Sequence, residues 1–127
     1  MVNFRVQRLV LVLALAAAGA WIARPYVDAA AFIVRAAGLT DGVPGRVAAA
    51  RAYATTRDDL APIVTRHGAV PARLYRPSHF SRTILLVPGV HMDGIDETRL
   101  VGMAEDLAET GYAVVTVAPP DLRRFQV

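Results

Sequence analysis

Two apolar runs, TILLV (residues 83–87) and YAVVTVA (residues 112–118), bracket a single stretch of helical periodicity. Neither run alternates polar with apolar residues, and a strand without alternation is covered on both faces, as in parallel sheets. Between them Leu100, Met103, Ala104, Leu107 and Ala108 recur on one helical face, with Glu105, Asp106 and Glu109 largely off it. Asp96 is the expected N-cap, Gly111 the expected left-handed end, and Pro119 with Pro120 stops the second strand. Strand, loop, helix, strand makes one βαβ unit with a right-handed crossover.

In such a unit the loop leaving the first strand opens on the ligand crevice. Here that loop is PGVHMDG, residues 88–94, with Pro88, Gly89, Asp93 and Gly94 as its framework. Gly89 is expected to turn the backbone without a Cβ penalty and to let a substrate atom approach. The amides of Val90 and His91 then point out of the ladder, where donors can stabilise a developing oxyanion by on the order of 3 kcal/mol each. The plain alternative is a glycine turn that only reverses the chain.

Other readings of the loop fare worse. The phosphate-binding pattern GxxxxGK[ST] is missing, and the chain has no lysine to complete it. Gly89 and Gly94 do not fit the dinucleotide spacing GxGxxG. His91 and Asp93 stand two apart with no third ligand, so no metal site and no cofactor is expected.

The N-terminus has a different character. Residues 9–23, LVLVLALAAAGAWIA, carry no charge; Arg5 and Arg8 precede them and Arg24 follows. Snorkelling arginines would lengthen this span toward the ~20 residues that cross a bilayer. Trp21 and Tyr26 stand where an interfacial aromatic belt would place them. Two readings stay open: an uncleaved signal anchor, or a secretory signal with Ala18, Gly19 and Ala20 as its cleavage region. The basic start directs the remainder to the non-cytoplasmic side, while Arg24 and Arg35 oppose that orientation.

Residues 1–26 are therefore the membrane or signal segment, 27–59 a helical connecting region, and 60–127 the domain. Within the connecting region, residues 28–39 read as a helix capped by Asp28 and ended by Gly38. The stretch TDGVPG (residues 40–45) reads as a loop, 47–56 as a second helix, and Arg57, Asp58 and Asp59 as a turn. From Ile63 the pattern becomes an antiparallel hairpin about His67 and Gly68. Val70, Ala72 and Leu74 share one face, Arg73 and Tyr75 the other, with one face exposed. Ser78, His79 and Ser81 read as loop residues.

Composition removes several functions. Cysteine is absent, which excludes disulfides, thiolate metal sites and thiol nucleophiles. The net charge of +3 comes from arginines scattered along the chain. A nucleic-acid reader would cluster them on one element, so no nucleic-acid partner is expected.

The order of the hairpin ending in ARLYRP, the strand ILLVPG with its loop, the helix ETRLVGMAEDLAETG and the strand YAVVTVAPPDL resembles the N-terminal half of an α/β-hydrolase domain, over about residues 63–121. The resemblance implies an α/β fold, a partial α/β-hydrolase sheet preceded by a transmembrane helix. It also implies a serine hydrolase acting on ester, amide or related acyl bonds. In this family the residue after the loop glycine donates an oxyanion-hole amide. Carried over, that residue is Val90, with His91 next. Pro88 stands where many members have histidine.

The family's nucleophile elbow, G-x-S-x-G, follows the next strand. This sequence contains no such motif, so the expectation is the N-terminal portion of a longer, membrane-anchored or exported hydrolase, inactive alone. Its partners would be a small acyl substrate and, through the first helix, a membrane. Two alternatives remain: a non-catalytic, membrane-tethered binding domain, and another doubly wound protein whose loop binds an anion.

Overall fold

The computed structural model describes residues 4–66 and 68–119. It contains α1 (Phe4–Ala36), α2 (Gly42–Ala50), β1 (Thr55–Thr65), β2 (Gly68–Pro77), β3 (Arg82–Leu86), a 3₁₀ turn (Gly94–Asp96), α3 (Thr98–Glu109) and β4 (Tyr112–Val117). The readings placed on His67, Pro120 and Asp121 lie outside the described residues.

The strands form one sheet in the order β1-β2-β4-β3. β1 and β2 are the antiparallel hairpin; β4 pairs antiparallel with β2 and parallel with β3. The expected βαβ unit is present, with α3 between its strands. Gly111 ends α3 at φ +93, and a Cβ there would come within 3.0 Å of the Tyr53 ring. Both facts favour the residue without a side chain.

Alternation sorts the sheet into two faces. Tyr75 and Val114 lie under α3, where Ala104 and Ala108 are fully buried and Leu86, Val101, Leu107 and Tyr112 close the cluster. Two alanines four apart let the helix backbone lie close to the strands. The hairpin face carrying Arg73 and Tyr75 is thus the covered one. The opposite face joins Val70, Ala72 and Val117 with partly buried Val115. β4 is buried on both faces as expected, but β3 is not: it is an edge strand, and Leu85 is 63 % exposed on the face away from α3.

β1 starts earlier than the hairpin reading allowed. Arg57, Asp58 and Asp59 form strand rather than a turn, paired with Tyr75, Leu74 and Arg73. Charge suits this position, because an edge strand with charged side chains resists pairing with other chains. Register shifts between Leu60 and Ile63, where Pro62 offers no N–H to the ladder.

The helical region is also reorganised. α1 runs 33 residues through Pro25 and Asp28 without a break, so no separate helix begins at Asp28. Proline removes one hydrogen bond from the ladder, and the alanine-rich turns around it carry the helix on. Asp28 does not cap; its Oδ1 accepts from Arg51 Nε at 2.9 Å and Nη2 at 2.6 Å. Gly38, at φ +67, ends α1 as expected. The Leu39 N–H donates to the Val34 carbonyl and Gly38 N–H to that of Arg35, the pairing that satisfies last-turn carbonyls. α2 occupies part of the stretch read as a loop and ends at Ala50, before the expected 56. Pro44 falls in its first turn, where a missing N–H costs nothing.

α1 is long and apolar enough to cross a membrane, a description that also fits a signal sequence. At 1.5 Å per residue it extends ~50 Å, well beyond a ~30 Å hydrocarbon core. Its N-terminal part is exposed throughout, with Trp21 77 % accessible. Its last turns pack on the domain: Ala31 is buried, Arg35 Nη1 donates to the Ala48 carbonyl at 2.8 Å, and Arg35 Nε lies 3.2 Å from the Glu109 carboxylate.

Candidate functional site

The ladder between β3 and β4 ends with Leu86 opposite Thr116. Beyond it the chain leaves the sheet: Pro88 is buried, while Gly89, Val90 and His91 are exposed. The backbone N–H groups of Val90 and His91 make no hydrogen bond among the described residues. They stand past the carboxyl end of a parallel strand, free to donate.

Gly89 does not turn the backbone in a conformation that other residues avoid. Its φ is not in the left-handed region, and a Cβ there would meet nothing within 4 Å. The glycine with the special conformation is Gly94, buried and at φ +56. It opens the 3₁₀ turn, and its N–H donates to the His91 carbonyl at 3.2 Å.

His91 and Asp93 are brought together. The Asp93 N–H donates to His91 Nδ1 at 3.3 Å, and an Asp93 carboxylate oxygen lies 3.5 Å from the same nitrogen. A nitrogen that accepts leaves Nε2 as the ring's donor. Both side chains are more than half exposed, so this local bond folds the loop on itself rather than building a buried dyad.

What holds the loop's far end was not foreseen. The Arg73 side chain, 13 % exposed, lies along the sheet beneath the turn. Its Nε donates to Asp59 at 2.5 Å, and its Nη1 stands 2.9 Å from Asp96 and 3.4 Å from the Ile95 carbonyl. The Asp59 hydrogen bond does most to strengthen the guanidinium's hold on its proton; burial opposes, and Asp96 adds to it. In return, Arg73 holds the Asp59 carboxyl below the usual carboxylate range. Asp96, expected to cap α3, is instead the carboxylate that Arg73 grips. The cap is Glu97, which accepts from the N–H groups of Arg99 at 3.0 Å and Leu100 at 2.7 Å. Those bonds favour the charged form and hold its pKa below that of a free glutamate.

Two polar atoms under α3 and the turn have no hydrogen-bond partner among the described residues: the Tyr75 hydroxyl and Thr116 Oγ1. The Tyr75 oxygen is near enough to Arg73 to favour its charge, but outside hydrogen-bond geometry.

Two cavities open elsewhere. The larger, about 750 Å³, lies between α1 and the amino ends of β3 and β4; the second lies between α1 and residues 50–53. Neither is lined by residues 88–94. Among the described residues, Gly89, Val90 and His91 lie exposed on the surface, outside both cavities. Ser78 and Ser81 sit at the opposite end of β3, remote from those donors. No protein family, curated protein or solved structure matches this chain.

Proposed function

We propose that residues 88–94 form the oxyanion loop of an α/β-hydrolase-type serine hydrolase acting on ester, amide or related acyl bonds. Val90 and His91 are its backbone donors, and α1 is its membrane anchor or export signal, with the domain on the non-cytoplasmic side. The observation carrying this reading is the pair of unbonded N–H groups beyond the carboxyl end of β3. The antiparallel hairpin joined to a parallel βαβ unit, in the chain order of the resemblance, supports it. On this reading the loop contributes oxyanion stabilisation; the 127 residues contain no G-x-S-x-G motif.

The test uses the protein purified from the membranes or medium of the cell that makes it, assayed on a chromogenic short-chain acyl ester. Val90→Pro deletes one donor and is expected to lower kcat by about 10²–10³-fold with little change in KM. Val90→Ala keeps the N–H and stays within about twofold. Circular dichroism of both variants checks folding. Undiminished turnover by Val90→Pro, or no ester cleavage by the native protein, overturns the reading and leaves a non-catalytic tethered domain.

A further inference from the structure

Where α1 meets the domain, the larger cavity has a mixed wall. Arg24 and Phe32 come from α1, His79 and Phe80 from the β2–β3 connection, and Arg82 and Tyr112 from the first positions of β3 and β4. Pro25, Asp28, Ala29 and Phe32 recur at helical spacing, so one face of α1 forms a continuous side of it.

Its charges are unevenly spent. Asp28 is engaged by Arg51 at 2.6 Å and reaches Arg24 only at 4.0 Å. Arg24 otherwise makes one long contact, 3.4 Å, to the Tyr53 hydroxyl. Arg82 has neither an ion pair nor a side-chain hydrogen bond among the described residues. A guanidinium without a partner among the described residues, beside a second that is weakly paired, suits a phosphate oxyanion. The rings of Phe32, Phe80 and Tyr112 suit the apolar part of the same ligand.

Position identifies the source of that phosphate. The cavity begins one helical turn after Trp21, where the uncharged run 9–23 ends. With that run in a bilayer, the cavity lies at headgroup depth. We propose that it binds the phosphate of an anionic phospholipid between Arg82 and Arg24, fixing the domain against the membrane surface. This rests on α1 lying in a bilayer and not on any acyl chemistry.

The experiment places the full chain in nanodiscs of phosphatidylcholine, with and without one fifth phosphatidylglycerol. Quenching of Trp21 by brominated lipid reports insertion of α1 separately. With insertion confirmed, phosphatidylglycerol is expected to raise the Tm of the domain. Lipid retained per protein, read by native mass spectrometry, should fall about tenfold in Arg82→Gln but not in Arg99→Gln, which alters an arginine outside the cavity. Equal retention by Arg82→Gln and the native chain overturns the proposal. So does a Tm rise of the same size with soluble glycerol 3-phosphate, which would assign the cavity to a soluble phosphate ester. Absence of quenching overturns it through its premise, leaving the oxyanion reading untouched.

Discussion

Arg73, in the middle of β2, reaches Asp96 with its Nη1 2.9 Å from the carboxylate and so ties the sheet to the turn that closes loop 88–94. The same guanidinium holds Asp59 on β1. One side chain thereby fixes an edge strand and the far end of the candidate site.

Replacing Arg73 with Met keeps the apolar stem and deletes both links. Unfolding free energy from urea titration is expected to fall by about 1–2 kcal/mol, the scale of hydrogen bonds to charged groups at a partly hydrated site. Amide exchange of residues 94–96 should quicken more than that of β4. Arg73→Lys should recover only part, since an ammonium cannot span both carboxylates in a fixed fork. Unchanged exchange in the turn would show that it holds its shape without the arginine.

Folding lowers the pKa of both Asp59 and Glu97. Each therefore adds stability above the unfolded values of about 3.9 and 4.3, and loses it as pH falls through the lower folded values. Urea midpoints should be flat from pH 7 to about 5 and decline below about 4. In Glu97→Ala the midpoint should be lower at pH 7, with the gap to the native chain closing in acid. A gap that persists below pH 3 would contradict the assignment of Glu97 as a charged cap.

Asp106 is shifted the other way: partial burial raises its carboxyl above the ordinary value, against an opposing pull from Arg35. A raised carboxyl favours folding when protonated and loses that contribution as pH rises through its titration. Asp106→Asn should stabilise the chain at pH 7 by about a few tenths of a kcal/mol, because the group remains largely hydrated. The benefit should vanish below about pH 3, where the native carboxyl is protonated in both states. Equal stability of the two chains at pH 7 would remove burial as the cause.

The unpartnered Tyr75 hydroxyl and Thr116 Oγ1 make a test of the core. Tyr75→Phe and Thr116→Val delete a buried polar atom at nearly constant shape. Each is expected to raise unfolding free energy by about 1 kcal/mol, the lower end of the cost of an unsatisfied buried group. A loss of stability in either variant would mean that the hydroxyl is satisfied in solution.

The parts of this fold legible in the sequence are those set by short-range pattern. The run 112–118, the Leu100 to Ala108 stripe and the left-handed glycines at 38 and 111 each carry their signal within one turn or strand. Pairing across distance was not legible. Arg57, Asp58 and Asp59 look like a turn until Glu105 and Arg73 supply partners for the charges of Arg57 and Asp59. Tyr75 looks exposed until α3 arrives above it. Asp96 and Glu97 are adjacent carboxylates, and only the position of Arg73 decides which one caps the helix. The end of β3 and the start of the loop carrying Val90 and His91 were legible because they are local facts. The role of Arg73 was not, because its two carboxylates come from opposite sides of it in the chain.

α1 and the loop 88–94 lie at opposite ends of β3. α1 abuts the amino ends of β3 and β4 beside Arg82 and Tyr112, whereas residues 88–94 emerge from the carboxyl end of β3. At ~3.3 Å per residue, a five-residue strand separates the two by about 16 Å. If α1 is embedded, the loop bearing Val90 and His91 lies at the end of β3 away from it, and a ligand would reach that loop through water rather than sideways along the lipid.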